Sequence, residues 1–261
     1  MSREPIVLFD NGTHQCLQFD DLVSGDGIQS NQFLITNNNQ SLLLDPGGDL
    51  TYTPLSLEIS KHINFKDLSY IFASHQDPDI IAALDKWLLH TQAKVITSKL
   101  WARFLPHLTA GYLTISHGIS TTDRVIALPD GGASFKLGEA RLKAIPAHFL
   151  HSVGNFQLYD PISKILFSGD MGASLVEDAQ PVTNFAEHIT HMEGFHRRYM
   201  VSHKVCKYWA NMVRTLDVDM IVPQHGRPFK GKEMINQFLA WIENLECGID
   251  LMTQEHFRVP N

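Results

Sequence analysis

The segment Ser74-His75-Gln76-Asp77-Pro78-Asp79-Ile80 sets an imidazole and two carboxylates at alternate positions. These are the side chains that hold zinc, manganese and iron, so His75, Asp77 and Asp79 are candidate ligands for a divalent cation. Three later fragments carry the same residue types: Ala147-His148-Phe149-Leu150-His151-Ser152-Val153-Gly154-Asn155, Phe167-Ser168-Gly169-Asp170 and Ile221-Val222-Pro223-Gln224-His225-Gly226. Each follows an apolar or β-branched run and ends in a polar residue beside or close to glycine, as expected for ligands on loops at one end of a sheet. The chemistry open to such a set is hydrolysis by a metal-bound hydroxide or redox chemistry at a metal pair.

The elements that must position these residues alternate along the chain. Residues 68–74 read as a mostly apolar strand, and Pro78, Ile80, Ile81, Leu84, Trp87 and Leu88 as a helix with an early proline, which puts His75, Asp77 and Asp79 on the turn between them. Further strands are expected at 5–9, 32–36 and 41–45, the last ending in the turn signal Asp45-Pro46-Gly47-Gly48. A second series falls near 94–97, 124–128, 133–136, 141–146, 155–159, 164–167 and 219–222. Helical patterns lie near 54–62, 79–91, 98–107, 180–200, 202–215 and 231–247. Strands clustered in hairpin-like pairs between helices favour an α+β sheet-on-sheet core over a doubly wound parallel sheet. Trp87, Leu88, Trp101, Phe104, Trp209 and Trp241 sit at helical spacings suited to core contact.

A chain of 261 residues with 44% hydrophobic content can build a sizeable core, and residues 1–261 read as one domain without repeat or linker. A net charge of -7 and the lack of a basic tract give no electrostatic reason to expect nucleic acid or an anionic membrane. The N-terminal apolar run is too short for a signal peptide, and no stretch approaches the roughly 18 apolar residues of a membrane span, so a cytoplasmic location is expected. Cys16, Cys206 and Cys247 are odd in number and in no CxxC arrangement, which argues against a disulfide framework or a thiolate metal site.

Taken in order, His75, Asp77, Asp79, His151, Asp170 and His225 resemble the ligand series of the metallo-β-lactamase superfamily. The resemblance implies an αββα sandwich. It also favours His151 over His148 as ligand, because the distance from His151 to Leu158-Tyr159-Asp160 matches the superfamily segment. Many hydrolases of the superfamily carry His-x-His-x-Asp-His at the first motif. Here a carboxylate stands in place of the second histidine and Ile80 in place of the last, leaving three carboxylates and three imidazoles, and hard oxygen ligands shift the preference from zinc toward iron or manganese. Within the superfamily the chain resembles the di-iron domain of flavodiiron proteins, and most closely the oxygen-binding di-iron proteins without a flavodoxin domain. Ala-His-Phe-Leu-His-Ser at 147–152 and Phe195-His196-Arg197-Arg198-Tyr199-Met200 are similar to that subgroup.

The resemblance implies one iron on His75, Asp77 and His151, a second on Asp79 and His225, and Asp170 bridging, with no flavin in this chain. It departs from the flavodiiron pattern at Ile80, commonly a histidine on the second iron, and at Asp77, where glutamate is usual. His148 is then a pocket residue or a replacement ligand. Tyr199 either lines the pocket and donates a hydrogen bond to bound oxygen or only packs. For Asp77 and Asp79 the bland alternative is N-capping ahead of Pro78. For His188 and His191, at i, i+3 spacing on a helix, it is solvent exposure or core packing. Asp45 is read as closing a turn.

The implied function is a non-haem di-iron protein that binds dioxygen or another small diatomic ligand, as an oxygen sensor or scavenger acting on a signalling protein. Two alternatives stay open: an oxygen or nitric oxide reductase fed by a separate electron-donor protein, and a dinuclear zinc hydrolase of thioesters, lactones or phosphodiesters. Whether the chain is an enzyme is therefore undecided at this level. Flavodiiron proteins are commonly dimers, so a homodimer is among the implied assemblies.

Overall fold

The computed structural model describes residues 4–109, 117, 118, 120–176 and 178–260. Strands β1 (Ile6–Asp10), β2 (His14–Phe19), β3 (Gln32–Asn37), β4 (Gln40–Leu44), β5 (Leu68–Phe72), β6 (Lys94–Ser98) and β7 (Val125–Leu128) form one sheet in chain order. Its pairings are antiparallel from β1 to β4 and parallel from β4 to β7. A second sheet holds β8 (Ala133–Leu137), β9 (Ala140–Pro146), β10 (Phe156–Asp160), β11 (Ile165–Phe167), β12 (Met220–Val222) and β13 (Phe229–Lys230), in the order β13-β12-β11-β10-β9-β8. Only β11 and β12 pair in parallel there.

Parallel neighbours need a crossover, and helices supply it. Helix α1 (Asp49–Ile59) joins β4 to β5, then α2 (Pro78–Ile81) and α3 (Leu84–His90) join β5 to β6. Single turns α4 (Lys99–Ala102) and α5 (Leu105–Leu108) follow β6, α6 (Phe185–Tyr199) and α7 (His203–Val213) connect β11 to β12, and α8 (Lys232–Ile242) follows β13.

Strand periodicity then makes four layers. Leu34 and Leu43 point outward to Leu55, Ile59, Leu84 and Trp87, while Ile35, Leu42, Leu44, Phe72 and Ile96 point inward to meet Phe156, Leu158, Phe167 and Val222 of the second sheet. The other face of that sheet, through Ile145, Leu166 and Ile221, packs on Met192, Trp209 and Phe238 of the C-terminal helices. Both faces of each sheet are covered, so the central strands are apolar without a polar-outward alternation. The chain has the expected α+β αββα sandwich. Among the described residues no helix is long and apolar enough to cross a membrane.

The structure differs from the periodicity reading at several elements. Strand β2, His14-Gln-Cys-Leu-Gln-Phe, carries two glutamines and has no strand signature of its own; its place between β1 and β3 is set by their pairing. A buried polar link also holds it, since His14 Nε2 lies 2.7 Å from Asp160 Oδ2 of β10 and Asn37 Nδ2 donates to His14 Nδ1 at 3.1 Å. The two-residue strand β13 is too short for any period. The expected helix at 79–91 is two helices, and that at 98–107 is two single turns. Helix α1 begins at Asp49 and runs through Pro54, where the sequence pattern places its start.

Phe167 packs its ring, tilted, at 4.9 Å from that of Phe33 across the two sheets and is buried, three residues before Asp170. Phe167→Ala is expected to destabilise the fold by about 3–5 kcal/mol, through lost transfer energy and the cavity left behind, as read by denaturant unfolding.

Candidate metal centre

All six sequence-derived ligand positions lie on turns that leave the C-terminal ends of strands or, for His151, on the β9–β10 connection. At the end of β5, Ser74 N–H donates to Asp45 Oδ1 at 2.9 Å and Ser74 Oγ hydrogen-bonds His75 Nδ1 at 2.9 Å. With Nδ1 tied to that hydroxyl, Nε2 is the nitrogen turned to the site. Asp77 occupies the N-cap position of α2, yet its side chain makes no capping hydrogen bond. Its Oδ2 instead lies 3.2 Å from His151 Nε2 and 3.7 Å from His75 Nε2.

The His151 loop is folded by its own backbone, with Phe149 N–H donating to Ser152 O at 2.7 Å and Ala147 N–H to Asn155 O at 2.9 Å. Asn155 Nδ2 donates to Leu150 O, and Ser152 Oγ to Gln76 Oε1 of the first motif. After β11, Ser168 N–H donates to Val222 O at 2.9 Å and Ser168 Oγ to Met171 O at 2.6 Å, which turns the chain so that Asp170 faces inward. Behind it, Gly172 N–H donates to His196 Nε2 at 3.0 Å, while His196 Nδ1–H donates to Met192 O at 2.9 Å. His225 follows β12, and its Nδ1–H donates to Gln29 O at 2.6 Å. Gly226 has φ +81°, and a Cβ there would stand 2.0 Å from Ser174 Oγ, so this turn admits only glycine.

Asp170 lies at the centre. Its Oδ2 is 3.2 Å from His75 Nε2 and 2.8 Å from His151 Nε2, and its Oδ1 is 3.5 Å from His225 Nε2. Ligand atoms of His75, Asp77, His151 and Asp170 all fall within 4.8 Å of one another. Across the carboxylate, His225 Nε2 is 3.5 Å from Asp79 Oδ2. Two donor sets thus meet at the two oxygens of one carboxylate.

Electrostatics follow from this crowding. Burial works to raise Asp170, but the imidazoles of His75, His151 and His225 outweigh it and hold the carboxyl well below the usual range. Burial works to lower His151, but Asp170 and Asp77 push it up to about 10. His75 is raised as well, against its burial, by Asp170, Asp45 and Asp77. Asp79 is raised by burial, with Asp170 and Asp77 adding to it against the pull of His225. Such a cluster holds protons where cations would sit. Two of its buried atoms, His75 Nε2 and Asp170 Oδ1, have no hydrogen-bond partner. Leaving buried polar groups so is costly, and a cation on each would satisfy them, so these residues fit a pair of divalent metals.

The other expected residues lie as follows. The Ile80 side chain is fully buried among Leu84, Trp87 and Ile71, in the apolar layer under α2. Among the described residues no further His, Cys, Asp or Glu groups with the first donor set. His148 is engaged elsewhere, with Nε2 2.8 Å from Asp130 O and its ring edge on Phe156 at 5.2 Å. The half-exposed Tyr199 ring lies 5.4 Å from the His151 ring and stacks on Phe195 at 4.7 Å. His188 packs its ring on Phe229 at 5.9 Å, and burial lowers it to about 4. Asp45 does more than close a turn: it is buried, orients Ser74, and is pushed up to about 6, chiefly by burial. His196 was invisible as a positioning residue in the sequence, because its contact is with a backbone N–H from a different element.

A family model described as ODP family beta lactamase matches residues 28–226. Among solved structures, the peroxy di-iron species of the chemotaxis sensor ODP superposes with a TM-score of 0.84 at 37% identity, covering 98% of this chain and 100% of that one. A flavo di-iron protein mutant from Thermotoga maritima superposes with a TM-score of 0.72 at 21% identity, over 93% of this chain and 62% of its own, a likeness of fold. An uncharacterized protein from Methanocaldococcus jannaschii is 28% identical over 223 residues, which are 84% of this chain and 54% of that protein. The chain therefore spans about half the length of the curated relatives it matches.

Two outcomes follow. Without a cation His151 keeps its proton up to about pH 10, so a metal binding at neutral pH displaces it. Metal affinity is expected to rise with pH by about tenfold per unit for each proton displaced, in titrations between about pH 6 and 8. The share of the metal-free protein's stability that His151 contributes runs the other way, fully present below the ordinary 6.5 of histidine and lost as pH rises toward about 10. Separately, His196→Leu leaves Gly172 N–H without its acceptor; a loss of about 1–3 kcal/mol in unfolding free energy is expected, together with weaker metal retention.

Proposed function

The chain belongs to the ODP family of beta-lactamase-fold proteins, and on that premise we propose that it is a non-haem di-iron protein that binds dioxygen as an oxygen sensor. The observation that carries the proposal is the shared Asp170, whose Oδ2 serves His75 and His151 and whose Oδ1 serves His225. His75, Asp77 and His151 would hold one iron, Asp79 and His225 the other, with Asp170 bridging. Iron, rather than zinc, suits the equal count of carboxylates and imidazoles.

When bound, two ferrous irons supply an open coordination position and electrons for a diatomic ligand. Ile80 is withdrawn into the apolar layer, so Asp79 and His225 would give one iron one donor fewer than His75, Asp77 and His151 would give the other. His225 is kept in the productive tautomer by Gln29 O, and the His75 ring is oriented by its contact with Ser74 Oγ. The Tyr199 and Phe195 rings lean on His151 and fix its ring from one side. His148 anchors the loop at Asp130 rather than coordinating. Sensing is preferred to reductive turnover because a solved structure that matches over almost its whole length is that of a chemotaxis sensor.

The test begins with protein reconstituted with ferrous iron without air. About two irons per chain and a visible charge-transfer band that forms in air are expected, with no sustained oxygen consumption when a reductant is added. Stoichiometric zinc preference with a featureless spectrum and ester turnover would establish a hydrolase instead, and sustained consumption a reductase. Asp170→Ala is expected to lose both metals. His148→Ala should retain them; full metal content in Asp170→Ala by elemental analysis would overturn the bridging assignment.

A further inference from the structure

Away from the metal ligands, Cys206 on α7 and Cys247, just beyond α8, bring their sulfurs to 3.9 Å across 41 positions of sequence. Both are buried and unbonded. A buried free cysteine is ordinarily a small apolar residue. This pair has surroundings that apolar packing does not require. Cys247 caps a single helical turn, Gly248–Leu251, and its N–H donates to Asp250 Oδ2 at 3.1 Å. The adjoining Gly248 lines a cavity of about 270 Å³ with Arg197, Arg198, Leu251, Met252 and His256. That cavity carries two guanidinium groups and reaches Gly248, the residue after the buried Cys247.

We propose that Cys206 and Cys247 are a peroxide-responsive dithiol that closes to a disulfide. Cys247 adjoins Gly248 and the Arg197 cavity and is assigned the attack; Cys206, held up by its contact with Cys247 and by burial, is assigned the resolving role. The Cys247 thiolate attacks hydrogen peroxide; the O–O bond breaks, one oxygen leaves as water after taking a proton, and Cys247 becomes a sulfenic acid. Cys206 then attacks that sulfur, its proton leaves with the sulfenic oxygen as a second water, and the S–S bond forms. Two thiols are oxidised and one peroxide is reduced to two waters.

The bond would tie α7 to the segment after α8. That segment is already joined to the end of α6, since Ile249 N–H donates to Val201 O at 2.8 Å, and Val201 N–H donates to Phe149 O on the His151 loop at 3.3 Å. The dithiol is thus linked by backbone to the rim of the metal centre.

The experiment exposes purified protein, with metal and after chelation, to stoichiometric hydrogen peroxide without air, followed by denaturation, thiol alkylation and peptide mass spectrometry. Expected are loss of two of the three thiols in both samples, a Cys206–Cys247 linked peptide restored by dithiothreitol, and a free Cys16. In Cys206→Ser, a sulfenic acid trapped at Cys247 by dimedone is expected. Three thiols surviving a large peroxide excess, a link involving Cys16, loss only in the metal-loaded sample, or no trapping at Cys247 would each overturn the proposal.

Discussion

A carboxylate buried at the meeting point of two sheets has to be neutralised, and Asp170 is that group. Removing an ion from water costs several kcal/mol unless opposite charge and hydrogen bonds replace the solvent. Three imidazoles converge on its two oxygens, Asp77 and Asp79 balance them, and the cluster as a whole suits two divalent cations better than protons. Every neighbouring feature serves to hold this arrangement rigid: the Ser168 turn, the Ser74 hydroxyl, and the Gln29 carbonyl behind His225.

That rigidity comes from the layers. Each ligand is placed by a turn that follows a buried strand or joins two, and the strands are immobilised by apolar contacts on both faces. One sheet carries His75, Asp77 and Asp79; the other carries His151, Asp170 and His225. The site therefore exists only while the sheets are stacked. Phe156 N–H donating to Ser74 O at 3.1 Å and Asn31 N–H donating to Gln224 O at 2.6 Å are direct backbone ties between them, next to the ligands.

Helix α6 touches the centre at two points. Phe195 and Tyr199 lie on His151, and His196, one side of the helix further round, accepts from Gly172 behind Asp170. The C-terminal continuation of α6 meets the His151 loop again through Val201 and the cysteine-bearing segment through Ile249.

Much of the site was legible in the chain because metal ligation demands particular side chains on turns after strands. His75, Asp77, Asp79, His151, Asp170 and His225 carry that signature in sequence order; periodicity supports only mixed α and β layers, and the αββα order came from the resemblance to the superfamily. Strand β2 was not legible, since its glutamines hide it and its neighbours, with the His14–Asp160 link, set its place. Nor were the roles of Asp45 and His196, whose partners are backbone N–H groups at Ser74 and Gly172. The approach of Cys206 to Cys247 was equally hidden. Side-chain type and local period marked the candidate metal ligands and most of the elements. Only the stacking of two sheets and the docking of α6, α7 and α8 decided which atoms face each other, because hydrogen bonds to distant backbone and contacts between remote helices leave no local periodic trace.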